Sequence, residues 1–168
     1  MEIISKHILS VLVENHSGVL SKITGLFTRR GYNIDSLTVG VTEDPGVSRI
    51  TLVLNGDEYI VEQISKQLNK IVDVIKVVEL SPEKCVCREL VMVKINNNPQ
   101  NKDAILRAVD IFRGDIVDCD SKSMSIEITG DDGQVSSFIE FIRPFGIKEI
   151  IRTGLSALER GSDTITEL

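Results

Sequence analysis

The chain has 168 residues, of which 42% are hydrophobic and 26% are charged, which is typical of a folded globular protein rather than a disordered one. Its formal net charge of −6, without a run of Lys or Arg, argues against nucleic acid or anionic lipid as the main partner. No apolar stretch approaches the roughly 20 residues of a membrane span, and the first strand begins too early for a signal segment, so we expect a cytoplasmic protein without membrane contact.

The first 80 residues alternate strand and helix patterns in the order β-α-β-β-α-β. One helical pattern runs from Ser17, which we predict to be its N-cap, to a stop at Gly31, and a second begins near Asp57. The turn pair Pro45-Gly46 joins the middle two strands as a hairpin. The four predicted strands, each with alternating or β-rich sequence, are 8–14, 32–41, 47–55 and 72–80.

The same order recurs about 80 residues further along. Helical spacing is present over 100–112 and again around Phe138, and the predicted strands are 89–95, 115–120, 124–130 and 147–153. "FTRRGYNID" in the first half resembles "IFRGDIVD" in the second, which indicates duplication of one unit. We therefore predict an α+β protein with two tandem ferredoxin-like βαββαβ units, divided near Pro82 into domains 1–81 and 82–168.

The first strand carries apolar residues on both faces. Leu9, Val11 and Val13 lie on one face, and Ile8 and Leu12 on the other. Because a ferredoxin-like unit places both helices on a single face of its sheet, the other face needs a separate cover. We expect a second copy of the chain to cover it, with 8–14 at the interface of a homodimer.

Residues for catalysis are scarce. The chain has two histidines, His7 and His16, and no Walker loop, dinucleotide-binding glycine motif, zinc-protease motif or serine nucleophile elbow. A catalytic interpretation therefore lacks an acid and a base, and we expect no catalytic residue and no cofactor on this chain.

Two groups of residues have a metal-binding alternative. Cys85 and Cys87 share one strand face, but zinc usually takes four ligands and Cys119 is the only further thiol. Five carboxylates have the chemistry to gather Mg²⁺, although a hairpin edge and a helix start explain them as well. These are Asp115, Asp118, Asp120, Asp131 and Asp132. We predict no metal site.

The turn before the first helix offers a different kind of site. A helix N-terminus presents unpaired backbone N–H groups to an anion, and Gly18 allows a close approach to the backbone. Asn15 and Asn33 supply carbonyl acceptors and amide donors, which together suit the ammonium and carboxylate of an α-amino acid. The alternative is structural: Asn15, Ser17 and Gly18 shape the helix start, and Asn33 shapes the next loop.

Longer stretches of the chain resemble a known family. "ILSVLVENHSGVLSKITGLFTRRGYNIDSLTV", "DPGVSRITLVL", "QLNKIVDVIKVVEL", "RELVMVKI" and "IFRGDIVD" resemble the small regulatory subunits of acetohydroxyacid synthase, also called acetolactate synthase. The resemblance covers essentially the whole chain. It implies an N-terminal ACT domain for effector binding and dimerisation and a C-terminal ferredoxin-like domain. It also implies a catalytic large subunit that carries thiamine diphosphate, Mg²⁺ and FAD.

The resemblance further implies a role in branched-chain amino-acid biosynthesis. A subunit of this family activates the large subunit and transmits feedback inhibition by valine, which binds between the ACT domains of a homodimer. The matching positions are Asn15, Gly18, Val19 and Leu20 in one chain and Asn33 and Ile34 in the other. Cys85 and Cys87 match no family motif.

Of two other functions, the residues are compatible with the first and disfavour the second. An ACT-type amino-acid sensor for another enzyme or for a transcription regulator would have the same pocket and a different partner. An enzyme in its own right would need the acid and base residues that the chain lacks.

Overall fold

The structure is a computed structural model that describes residues 5–166. The chain divides into two units, one formed by residues up to Val86 together with those from Leu155 onward, the other by Cys87–Gly154. Each repeats the order β-α-β-β-α-β, so the predicted fold class is confirmed. Among the described residues, no helix has the length and apolar character needed to cross a membrane.

The first unit is an antiparallel sheet with two helices on one face. Its elements are β1 (Ser5–Glu14), α1 (Val19–Arg30), β2 (Ser36–Val41), β3 (Val47–Gly56), α2 (Glu58–Leu68) and β4 (Val74–Leu80). The strand order is β2-β3-β1-β4, so β1 is central and is hydrogen-bonded along both edges. Leu9 and Val11 of β1 are fully buried in one cluster with Ile23 and Phe27 of α1 and Ile64 of α2. This cluster is the core between the sheet and the helices.

The second unit has the same architecture. Its elements are β5 (Cys85–Asn96), α3 (Lys102–Phe112), β6 (Asp115–Cys119), β7 (Ser123–Gly130), α4 (Asp132–Ile142) and β8 (Ile147–Arg152). The strands lie in the order β6-β7-β5-β8, with Val91, Val93 and Ile95 of β5 facing the helices. Phe138 of α4 fills the centre of this core and meets the ring of Phe112 edge-on, with ring centroids 5.4 Å apart.

The two units end their first helices differently, although both sequences carry an Arg-Gly pair there. After α1, Gly31 adopts the left-handed conformation with φ 69°. After α3, Arg113 takes the left-handed position with φ 55°, and Gly114 is needed for space. A Cβ on Gly114 would lie 2.6 Å from Ile128 Cγ2 and 2.8 Å from the Glu127 carbonyl oxygen of β7.

A short ninth strand, β9 (Ser156–Glu159), was not predicted. It pairs with β5 as a fifth strand, and its residues group by contacts with the first unit. It lies on the sheet face away from α1 and α2. Arg49, which pairs with Leu12 across the sheet, donates from Nη2 to the Ala157 carbonyl at 3.1 Å. Leu155 N–H donates to Ser36 Oγ at 3.0 Å. We call residues 155–166 the return segment.

The return segment changes the interpretation of β1. Ile8 and Leu12 are 3% and 6% exposed within a single chain. These side chains therefore do not need a second copy to cover them, whereas the homodimer with 8–14 at its interface stays a prediction. Residues 8–13 of the strand are buried within their own chain.

The predicted domain division after residue 81 concerns function and stays a prediction. By contacts, the first unit extends to Val86 and includes the return segment. A division at one point in the sequence does not describe this arrangement, because the first unit is formed by two separate stretches of chain.

The return segment generates a stability prediction. Leu155→Ala removes a side chain that is 6% exposed, so we expect the free energy of unfolding to fall by about 2–5 kcal/mol. Leu158→Ala, three residues further along and 60% exposed, should change it by less than about 0.5 kcal/mol. Urea denaturation of both variants measures the difference. A change of less than about 0.5 kcal/mol for Leu155→Ala as well would show that burial of this side chain does not stabilise the protein.

Candidate functional site

The turn between β1 and α1 is held by backbone contacts from two other loops. Glu14 N–H donates to the Asp73 carbonyl at 2.9 Å, and Asn15 N–H donates to the Gly46 carbonyl at 2.7 Å. The Asn15 side chain donates from Nδ2 to the Pro45 carbonyl at 2.9 Å. This bond uses one of the two N–H groups of the amide and leaves the side-chain oxygen of Asn15 as an acceptor.

The helix start differs from the prediction. The N-cap of α1 is Gly18, not Ser17, and no side chain caps the first turn. Gly18 has φ 92°, which side-chain-bearing residues rarely adopt, so glycine occupies this position for conformational reasons. The first turn also lacks an acidic residue, whereas Asp57 caps α2 and Asp131 caps α4. The first N–H groups of α1 therefore have no side-chain acceptor.

Gly18, Val19 and Leu20 have different surroundings. No heavy atom other than its chain neighbours lies within 4 Å of a Cβ built on Gly18, so the space beside the helix start is open. Leu20 is 42% exposed, whereas Val19 is 3% exposed and packs in the core. Val19 can therefore meet a ligand only through its backbone.

Asn33 and Ile34 lie at the other end of the same helix. Asn33 is exposed and donates from Nδ2 to Asp35 Oδ1 at 3.0 Å, and Ile34 is half-buried against the core. α1 has 12 residues and a rise of 1.5 Å per residue, so it separates its two ends by about 18 Å. This separation is several times the 3.8 Å between consecutive Cα atoms, which is the length scale of a ligand the size of one residue.

The strands give the same separation. Asn15 is bonded to Gly46 at the start of β3, whereas Asp35 N–H is bonded to the Val53 carbonyl near its end. One chain therefore brings Asn15, Gly18 and Leu20 together, and separately brings Asn33 and Ile34 together. It does not unite the two groups.

A charged cluster beside the helix start was missed by sequence reasoning. Its centre is Asp73, which is 5% exposed, lies just before β4 and accepts from Lys22 Nζ at 2.5 Å. His16 Nε2 is 3.1 Å from the other oxygen of Asp73 and 3.3 Å from Glu14 Oε2. No local signal identifies Asp73, because it is 57 residues from His16.

The cluster shifts two pKa values. The hydrogen bond from Lys22 holds the pKa of Asp73 below its ordinary value. The Ser17 carbonyl, which is 3.1 Å from His16 Nδ1, raises the pKa of His16, and the Asp73 carboxylate raises it further. Ligand atoms of Glu14, His16 and Asp73 lie within 4.8 Å of one another, but the Lys22 ammonium already neutralises Asp73, so an ion-pair network accounts for the grouping.

The other groups considered for metal binding do not converge among residues 5–166. Asp120 Oδ1 accepts from the N–H groups of Lys122 and Ser123, both at 2.6 Å, and therefore forms the β6–β7 turn. Asp131 caps α4. Cys85 is buried, Cys87 is half-buried, and Cys119 is exposed on β6.

Two family models and several known proteins match the chain. Residues 9–76 match the family model described as the AHAS small subunit-like ACT domain, and residues 88–161 match that of the small subunit of acetolactate synthase. A probable acetolactate synthase small subunit of Methanothermobacter thermautotrophicus is 49% identical, with 95% of each chain covered. The acetolactate synthase small subunit of Bacillus subtilis is 46% identical, with 94% of this chain and 92% of that protein covered.

A solved structure resembles the whole chain. The crystal structure of the acetolactate synthase small subunit from Thermotoga maritima has a TM-score of 0.88 and 41% identity. The match covers 95% of this chain and 99% of the Thermotoga maritima chain.

The conformation of Gly18 generates a prediction about stability. Gly18→Ala should lower the free energy of unfolding by about 1–3 kcal/mol, because the cost comes from the positive φ rather than from crowding. Gly25→Ala lies in the interior of the same helix, also in open space, and should raise it by about 0.5–1 kcal/mol. Thermal and urea unfolding of the two variants provide the comparison. A neutral Gly18→Ala would contradict the backbone explanation.

Proposed function

Because the chain belongs to the family of acetolactate synthase small subunits, we propose that it is a non-catalytic regulatory subunit of that enzyme. It activates a catalytic large subunit in branched-chain amino-acid biosynthesis and confers feedback inhibition by valine or a related branched-chain amino acid. Thiamine diphosphate, Mg²⁺ and FAD belong to the large subunit in this proposal. The reaction requires no acid, base or nucleophile from this chain.

The separation of the two residue groups by α1 carries the proposal of a two-chain site. A ligand of one residue's size cannot touch Asn15 and Asn33 of the same chain. In a two-fold dimer whose axis reverses α1, the start of one helix lies beside the end of its partner, and each interface holds two identical sites. We assign Asn15, Gly18, Val19 and Leu20 of one protomer, with Asn33 and Ile34 of its partner, to each site.

The chemistry of these groups suits an aliphatic α-amino acid. The uncapped N–H groups of the first turn of α1 and the positive end of its dipole favour the carboxylate. The Asn15 side-chain oxygen accepts from the ammonium, and the exposed Leu20 offers apolar contact for the side chain. Asn33 adds polar atoms from the partner's side.

The dimer surface follows from the position of β2. β2 is an edge strand of the sheet, because the strand order is β2-β3-β1-β4. Its Val39 and Val41 are 43% and 60% exposed. Pairing of β2 and α1 with a second copy would cover these side chains and would bring the required helix ends together.

Regulation through this site is a shift of population. Valine that bridges two protomers stabilises the dimer arrangement in which both groups meet, and its effect on the large subunit is limited by its difference in affinity between arrangements. The proposal therefore needs two arrangements of the dimer and no chemical step on this chain.

Activation and inhibition are tested with the large subunit of the same organism. We expect the chain to increase acetolactate formation from pyruvate, and valine to reverse the increase. Gly18→Asp places a carboxylate at the helix start and should abolish the valine effect while activation persists. Gly18→Ala imposes similar backbone strain without the charge, so it should retain more of the valine effect. No change in activity on adding the chain would refute the proposal, and equal loss in both variants would refute the assignment of the carboxylate.

Mixing two defective chains tests whether the site needs two protomers. Asn15→Ala and Asn33→Ala should each abolish tight valine binding, yet a heterodimer of the two contains one doubly substituted site and one intact site. After equal mixing with free exchange of protomers, calorimetry should recover about one quarter of the wild-type sites. Asn69→Ala, which removes a comparable hydrogen bond to the Ser65 carbonyl, should bind valine normally. Failure of the mixture to recover binding would mean that one chain forms the site.

A further inference from the structure

His16 faces oxygen acceptors on both of its ring nitrogens. Nδ1 is 3.1 Å from the Ser17 carbonyl oxygen, and Nε2 is 3.1 Å from Asp73 Oδ1 and 3.3 Å from Glu14 Oε2. Carbonyl and carboxylate oxygens accept hydrogen bonds and cannot donate them, so each ring nitrogen needs its own proton. Neutral imidazole has a single N–H group. The contacts on both sides therefore require the imidazolium form.

Asp73 is held in place by contacts other than the one with His16. It is buried, its carbonyl accepts from Glu14 N–H at the end of β1, and its second carboxylate oxygen is held by Lys22 of α1. His16 is half-exposed and lies in the turn between these two elements. A hydrogen bond from His16 to Asp73 therefore ties a half-exposed position of the turn to a buried one.

We propose that His16, as an imidazolium, is a positioning residue of the effector site: it ties the Ser17 carbonyl to Asp73 and so orients the Ser17-Gly18 peptide at the start of α1. This inference rests on the proposed function, because it assumes that the N–H groups at the start of α1 bind the carboxylate of the amino-acid effector. A positive ring next to the start of α1 would also favour a carboxylate bound there. His16 itself need not touch the effector.

The tether depends on pH through a defined set of groups. The charged residues that face His16 are Glu14 at the end of β1, Asp73 before β4, and Lys22 on α1, which shares Asp73. Since folding raises the pKa of His16, its contribution is complete below the unfolded value of about 6.5 and is lost as the pH rises through the folded value. Asp73, with its lowered pKa, stays charged over that range.

The test uses the full chain and two measurements. NMR titration of the His16 ring protons, assigned with His16→Gln, should give a midpoint above 6.5 that falls in Asp73→Asn. Calorimetric titration of valine at about pH 6 and about pH 8.5 should show affinity lower at the higher pH by about two- to five-fold.

Matched variants separate the tether from other effects of pH. At both pH values His16→Gln should bind valine as weakly as the wild type does at about pH 8.5. Any pH dependence that remains in this variant measures the titration of the ligand itself. His16→Lys keeps a permanent cation and should bind more tightly than His16→Gln with little dependence on pH. His7→Gln alters the other histidine, which contacts Glu79 instead, and should behave as the wild type.

The outcomes distinguish this inference from the proposed function. A His16 midpoint at or below 6.5 overturns the tether even where valine binds. A raised midpoint with the same pH response in wild type and His16→Gln overturns the positioning role. Absence of valine binding at both pH values, with a raised midpoint, overturns the proposed function and the ligand part of this inference, whereas the tether is judged by the midpoint alone.

Discussion

The first unit depends on burial of both faces of β1. Six consecutive residues, 8–13, are buried, and the strand is hydrogen-bonded to β3 on one edge and β4 on the other. Two helices cover one face of the sheet, so the other face needs a further layer. The return segment supplies part of it. Ser10 is fully buried there and accepts from Arg49 Nε at 2.8 Å, which removes the cost of an unpaired hydroxyl.

Local patterns predicted most of the elements because alternation and helical spacing are properties of neighbouring residues. The start of α2 near Asp57 was predicted correctly, and the structure shows that Asp57 is its N-cap and accepts from the Ile60 N–H. Ser17 was assigned wrongly, because the turn requires φ 92° at the N-cap and glycine adopts that value most easily. β9 was missed: it is four residues long, and Ala157 lies 108 residues from Arg49 in sequence.

The site was predictable in residue type and not in arrangement. Asn15 and Asn33 were chosen for their amide groups, and the structure gives the reason they cannot act together in one chain, which is the length of α1. Val19 was predicted as a site residue from the family resemblance, and its burial leaves only its backbone for that role. Asp73 carries no local signal, so only the folded chain reveals its contact with His16.

The return segment also has a consequence for synthesis of the protein. A ribosome makes residues 87–154 after the strands and helices of the first unit and before the segment that covers its second face. At about 5–20 residues per second, the face of β1 that carries Leu12 lacks the return segment for about 3–14 s. The second unit, continuous in sequence, is complete before the first. During this interval the nascent chain exposes an apolar sheet surface that is prone to aggregation and that a chaperone can protect.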